Sequence, residues 1–311
     1  MRKHYQIRIH MMDLGGTDMK AQTRQNYRKR LIQVVDYIYQ HIAEDLDVNT
    51  LADVALMSPY HFHRIYRQLA NETINATVRR LRLQKAASLL IQTEQTIQQI
   101  ATHVSYGSLE AFSRAFSKQF GESPADYRQT KRSNPISLEP FVAMLPQPTN
   151  EVITMFNVEI IETQPVKLLA MAHQGDYLNI GQAFEKVFHY AISHNILNNE
   201  TRSIGIYYQD PLSVPKQELR SHAGVSIPGD IDLKDDSELE ILNVPGGRCA
   251  SLLFKGSYAE LEKAYAYLFG KWLPESGLEA ADFPPVEEYL NDPKSTPPSE
   301  LLTRVNCFLK D

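Results

Sequence analysis

The chain has 311 residues, 43% hydrophobic and 22% charged, the composition of a folded protein with room for two separate cores. Its net charge of −5 conceals a partition: residues 1–133 hold 19 Lys and Arg against 12 Asp and Glu (net +7), and residues 134–311 hold 13 against 25 (net −12). The two cysteines are too few for a disulfide scaffold, and no apolar run reaches the length of a membrane span.

Residues 1–26 carry Arg2 and Lys3 with no apolar run behind them, so they read as a weakly ordered tail, not a secretory leader, and a cytoplasmic location is expected. From 27 to 132 the pattern is helical and contains two helix-turn-helix units, LADVALMSPYHFHRIYRQLANET and IQQIATHVSYGSLEAFSRAFSKQF. In each, a short helix carrying Ala52 or Ala101 leads through a turn to a serine placed to cap a second helix, Ser58 or Ser108. On the first of these second helices Phe62, Ile65, Tyr66 and Leu69 make an apolar stripe, leaving Tyr60, His63, Arg64 and Arg67 on another face. On the second, Phe112, Ala115 and Phe116 form the stripe, and Leu109, Glu110, Ser113, Arg114 and Ser117 are left available. Arg reads guanine edges and Glu accepts from cytosine, so these faces suit the DNA major groove. A solvated polar face with no ligand is the competing reading of either helix taken singly. Between the units, INATVRRLRLQKAASLLIQTEQ predicts one helix, with Arg79, Arg80, Arg82 and Lys85, long enough to hold the units about one DNA turn (~34 Å) apart.

These residues resemble the DNA-binding domain of the AraC/XylS family of bacterial transcription regulators, most specifically in SPYHFHRIYRQLANET, RRLRLQKAA and YGSLEAFSRAFSKQFGESPADYR. The resemblance implies an all-α domain with two helix-turn-helix units joined by a long helix, binding adjacent major grooves of double-stranded promoter DNA, with RNA polymerase as a partner. It places Tyr60, His63 and Arg64 of the first unit and Leu109, Glu110, Ser113 and Arg114 of the second at base-reading positions. Arg64 is the expected strongest base contact, and Arg67, Arg79, Arg82 and Arg114 are expected on phosphates or bases. Leu56 and Ser105 stand where many members have Gly in the turn; a left-handed backbone there costs a non-glycine residue roughly 1 to 2 kcal/mol. Two units per chain make a monomer sufficient for binding and leave a dimer open.

Residues 133–152, with Pro135, Pro140, Pro146 and Pro148, read as a linker, and 153–311 as a second domain. This domain repeats itself. KLLAMAHQGDYLNIGQAFEKVFHYAISHNIL from Lys167 matches RCASLLFKGSYAELEKAYAYLFGKWLPESGL from Arg248 at an offset of 81, and GIYYQDP from Gly205 matches EEYLNDP from Glu287 at an offset of 82. Each copy reads strand, turn, helix, strand, long loop, strand. The expected fold is α+β, one antiparallel sheet with two helices on one face, related by a pseudo-twofold axis. Cys249 and Cys307 fall in strand-like segments and read as free, buried thiols.

The pieces VEIIETQPVKLLAMAHQGDY, RCASLLFKGSYAELEKAYAYLFGKWLPESGL and PPVEEYLNDP resemble the gyrase-inhibitor-like effector-binding domain of multidrug regulators. That resemblance implies a small-molecule effector, often aromatic or cationic, held in several members by a buried acid among aromatics. Glu287 and Tyr289 share a strand face, and the candidate rings are Tyr207, Phe254, Tyr258, Tyr265, Trp272 and Tyr289. The same aromatics are open to a reading as core, and Glu287 to one as a surface residue. His61 and His63 diverge on a helix, and no phosphate-binding loop or Cys/His cluster occurs, so neither a metal nor a cofactor is expected. The favoured function is a ligand-responsive, non-enzymatic DNA-binding regulator. Two alternatives are a C-terminal hydrolase with Glu287 as general base, and a constitutive regulator whose C-terminal domain has no ligand.

Overall fold

The computed structural model describes residues 16–133 and 155–311, except 230, 232 and 234–237, with side chains described from residue 23 to 130 and again from 155 onward. Nearly all of the expected linker, 133–152, lies outside the described residues. Among the described residues seven helices come first: α1 (Gly16–Gln40), α2 (Val48–Val54), α3 (Pro59–Ala70), α4 (Ile74–Gln92), α5 (Ile97–His103), α6 (Leu109–Phe120) and α7 (Pro124–Ser133). Residues 16–26, expected as tail, are instead the first turns of α1.

The described residues fall into two compact units, one within Arg28–Met57 and Leu69–Thr149, the other within Met1–Tyr27, Ser58–Gln68 and Asn150–Asp311. The division assigns most of α3, the first candidate DNA-reading helix, to the unit that contains the second domain.

In the helical unit the chain states its own helix starts. Asp47 caps α2 by accepting from Asn49 N and Thr50 N at 2.8 and 3.1 Å, Thr73 caps α4, and Thr96 with Gln99 forms a reciprocal capping box on α5. Ser108 caps α6 as expected, accepting from Ala111 N at 3.1 Å, and Gly121 ends that helix at φ 79°. Leu56 and Ser105 are left-handed, at φ 53° and 57°, so both turns keep the glycine geometry without glycine. Leu83, Ala86, Ala87 and Leu90 of α4 pack with Ile100, Ala101, Val104, Phe112, Phe116 and Tyr127 into one core. The α4 helix has 19 residues, about 28 Å at 1.5 Å per residue.

The second unit carries β1 (Val158–Thr163), β2 (Val166–Gln174), α8 (Gly181–Ser193), β3 (Ser203–Tyr207), β4 (Arg220–Ile227), β5 (Leu239–Val244), β6 (Gly247–Lys255), α9 (Glu262–Tyr267), α10 (Leu273–Ser276), β7 (Val286–Tyr289) and β8 (Leu302–Phe308). A π-helical turn, Leu268–Trp272, joins α9 to α10. All eight strands form one antiparallel sheet in the order β1-β6-β8-β7-β3-β4-β2-β5. Alternation sorts the sheet into two faces: Leu169, Met171, Tyr207, Ala223 and Val225 pack with α8 residues Ala183, Val187 and Ala191, whereas Leu168, Ala170, Ile204, Ile206 and Val286 pack on the other side. Cys249 on β6 and Cys307 on β8 are free and buried, and burial lifts the Cys249 thiol to about 11, which leaves it inert.

Candidate functional site

The central strand pair of the sheet builds the site. On β3 and β7 the register sets Gly205 opposite Glu287 and Ser203 opposite Tyr289. Successive residues of β7 face opposite ways, so Glu287 and Glu288 meet different environments. Glu288 is bracketed by Arg202 Nε at 2.7 Å and Arg304 Nη1 at 3.1 Å; burial opposes its ionisation, but the two guanidinium groups outweigh it and hold the carboxyl below its ordinary value. Among the described residues Glu287 has no such ion pair. It is 5% exposed and accepts from Tyr265 OH and Tyr289 OH, each at 2.8 Å. Burial raises its pKa, against the lowering effect of the two phenols and of the Arg64 charge.

Around this carboxyl the rings form a cage. The Tyr207 and Tyr289 hydroxyls bond to one another, Tyr177 meets Tyr207 edge-on at 4.8 Å, and Phe184 and Tyr258 meet Tyr289 edge-on at 5.5 and 5.3 Å. Burial, with the Glu287 charge second, drives the phenols of Tyr207, Tyr265 and Tyr289 well above their ordinary range, so they are fixed donors. A Cβ on Gly205 would lie 2.8 Å from the Tyr207 ring, so the missing side chain is what lets that ring fold back across the strand facing Glu287.

Of the expected pocket residues, Glu287, Tyr289, Tyr207, Tyr258 and Tyr265 come together. Phe254 does not: it packs on Phe156 at 6.0 Å, which in turn meets Tyr267, in the domain interior. Trp272 sits half-buried on the π-helical turn, apart from the ring cluster. Sequence reasoning missed Tyr177 and Phe184. The GDY–GSY match already paired Tyr177 with Tyr258, and that pairing was the available signal.

The expected DNA-facing residues divide. On α6, Glu110 and Arg114 are exposed and Ser113 half-exposed, while Leu109 packs against the helical core. Arg79 of α4 is exposed, but Arg82 donates to Ile42 O and Glu44 O and so ties the segment that follows α1 to α4. The polar face of α3 is turned inward, within the unit that holds the cage. His63 and Arg64 are 6% and 3% exposed. The Arg64 guanidinium donates to Gln209 O at 2.7 Å and to Tyr60 O at 2.6 Å, and it lies 5.2 Å from the centre of the Tyr265 ring. Arg67 reaches Asp210 at 2.8 Å and Glu262 at 2.5 Å; Tyr60 approaches Tyr208 at 6.1 Å. Ser58, expected as a cap, directs its hydroxyl to Asp282 at 2.8 Å. Burial favours the charge-neutral form of Asp210, yet Arg64 and Arg67 overcome it and hold the carboxyl below its ordinary value.

A model of the GyrI-like small-molecule-binding domain matches residues 156–306, and a helix-turn-helix domain model matches residues 51–130. The regulatory protein SoxS of Escherichia coli K12 is 32% identical over 103 residues, 33% of this chain and 96% of SoxS. The chain belongs to the AraC family of transcription regulators. Its other half is 30% identical to the DNA gyrase inhibitor of Erwinia billingiae over 138 residues, 44% of this chain and 87% of that protein. The crystal structure of an AraC-type regulator from Chromobacterium violaceum is 26% identical, covers 35% of this chain and 96% of that one, and has a TM-score of 0.33. As an AraC-type regulator the protein joins a DNA-binding helical part to a small-molecule-binding GyrI-like domain. Among the described residues no helix is long and apolar enough to cross a membrane, and no group of three His, Cys, Asp or Glu could hold a metal.

Proposed function

We propose that this AraC-type regulator reads promoter DNA with both helix-turn-helix units in adjacent major grooves, and that an organic cation bound at the Glu287 cage modulates that reading. The observation that carries the ligand class is a buried carboxyl whose hydrogen-bond donors are both phenols and which sits among a cluster of tyrosine rings, with no strand-borne cation paired to it among the described residues. A cation there gains from a poorly screened charge and from the ring quadrupoles together. Both Glu287 oxygens already accept hydrogen bonds, an arrangement suited to holding a charge; the protein acts as a sensor and not as a hydrolase. Arg64, His63, Tyr60, Glu110, Ser113 and Arg114 are the base-reading candidates, Arg67 and Arg79 the phosphate candidates, and RNA polymerase the expected partner at the promoter.

We infer as well that the domain is a duplicated unit with a pseudo-twofold axis between β3 and β7. Reading inward from either edge, the sheet presents corresponding strands, β1-β6-β8-β7 and β5-β2-β4-β3. The left-handed residues that close the two helices, Asn195 at φ 54° and Gly277 at φ 80°, stand at an offset of 82, whereas Gly175 and Gly256 stand at 81. The extra residue therefore belongs in the helix, where the π-helical turn absorbs it. Opposite Glu287 the first copy carries Gly205, so duplication yields one acid and one space at the axis.

The test is a thermal-shift and calorimetric comparison of the full chain with cationic, neutral and anionic aromatics, repeated with Glu287→Gln. Cation binding that weakens at least tenfold in the variant, with neutral aromatics unaffected, is the expected result. Unchanged cation affinity removes Glu287 as the anchor.

A further inference from the structure

Helix α3 is the element that the sequence offers to DNA, yet its reading face is spent inside the effector unit. Three independent features hold it. Charge is matched: Arg67 bridges Asp210, itself 1% exposed at the side chain, and Glu262. Backbone carbonyls are satisfied: Arg64 donates to Gln209 O, and His61 bonds Phe283 O at 2.9 Å while stacking on Phe269 at 5.3 Å. Shape is matched as well: a Cβ added to Gly270 on the π-helical turn would fall 2.8 Å from the Gln68 Cβ of α3. That turn is where the second copy of the repeat departs from the first, so the departure coincides with the seat of α3.

The guanidinium of Arg64 also touches the cage from outside. It lies over Tyr265, whose hydroxyl donates to Glu287, and over Phe269 at 5.9 Å, which stacks with Tyr265. A cation binding to Glu287 would meet the Arg64 charge across one ring.

We propose that α3 is an intramolecular ligand of the effector domain, so that the domain withholds the first DNA-reading helix and an organic cation at the Glu287 cage releases it by displacing Arg64. The release step rests on the cation-sensor reading above; the withholding does not. Two variants loosen the seat by different physics. Gly270→Leu puts a side chain against Gln68 without changing charge, and Asp210→Asn with Glu262→Gln removes both negative charges paired with Arg67. Glu185→Gln with Glu238→Gln, two exposed carboxylates elsewhere on the domain, controls for the loss of negative charge.

The assay is fluorescence anisotropy of the full chain on a labelled random-sequence duplex, with emission of the single tryptophan, Trp272, two residues from Gly270, as the reporter of the seat. Both loosening variants should bind the duplex about tenfold more tightly and shift the Trp272 emission, and the charge control should do neither. Saturating benzamidine should reproduce the effect on the wild type, add nothing to Gly270→Leu, and fail on Glu287→Gln. Unchanged duplex affinity in both loosening variants, or an equal gain in the charge control, overturns the proposal. Benzamidine that binds without moving affinity or emission overturns release by cations. Benzamidine that fails to bind even Gly270→Leu removes the cation-sensor reading and its release step, while the two variants still decide the withholding.

Discussion

Helices α3 and α6 have the same length, the same amphipathic pattern and the same rank within their helix-turn-helix units, yet one buries its polar face and the other keeps it wet. Amphipathicity specifies which stripe seeks a core; it does not say what the opposite face meets. On α6 that face is Glu110 and Arg114 at the surface. On α3 it is a set of hydrogen bonds and ion pairs to Gln209, Asp210, Glu262 and Phe283. A helix whose polar face is already satisfied must exchange those bonds for contacts with DNA, and its binding depends on whatever else competes for the seat.

The largest effect expected from breaking this comparison lies in what the two helices share, the buried stripe. Phe112→Ala should cost about 3 to 5 kcal/mol of stability by urea unfolding, since Phe112 is fully buried among Tyr106, Phe116 and the α4 side chains. Next is the difference between the polar faces. Arg114→Ala should weaken duplex binding by about 1 to 3 kcal/mol at a specific site and leave stability within about 0.5 kcal/mol, as befits an exposed residue. Arg64→Ala should lower the melting temperature as well, because it removes the shorter of the two hydrogen bonds to the Gln209 carbonyl and the cation's contact with the Tyr265 and Phe269 rings; equal melting for the two variants would erase the distinction.

Acid should separate the helices further. Burial, with the Arg64 charge second, holds the His61 imidazole down at about 3; burial also holds His63 at about 4, with Asp210 opposing and Arg64 assisting. Both pKa values lie below the ordinary 6.5, so the neutral rings contribute fully above pH 6.5 and that contribution is lost as pH falls towards 4. At pH 5 the loss should reach about 1 to 2 kcal/mol per ring. Trp272 emission followed from pH 8 to 5 reports it, and a flat profile would contradict the buried placement of these rings. The smallest effect belongs to the turns. Leu56→Gly and Ser105→Gly should each raise stability by up to about 1 kcal/mol by relieving a left-handed non-glycine backbone, offset for Ser105 by the loss of its hydroxyl bond to Ala43 O.

Much of the architecture was legible in the chain. The Ser108 cap, the α6 stripe, the charge partition and the helix-then-strand order all act over a few residues or sum over many. Local rules therefore reach them. Glu287 and Tyr289 were legible as a pair because two residues apart on a strand means one face. Phe254 and Trp272 satisfied the same aromatic criterion but were drawn into the interior or onto the π-helical turn, a distinction that depends on what the opposing element leaves open.

By itself, then, the sequence determined the helices, the two turns, the antiparallel sheet and the acidic residue at its centre, because periodicity and capping are properties of neighbouring residues. Tertiary structure alone decided that Gly205 leaves room for Tyr207 beside Glu287, that Tyr177 and Phe184 complete the cage, and that α3 spends Arg64 and Arg67 on partners more than 140 residues away. Those outcomes rest on shape and charge meeting across distant segments, which no local pattern encodes.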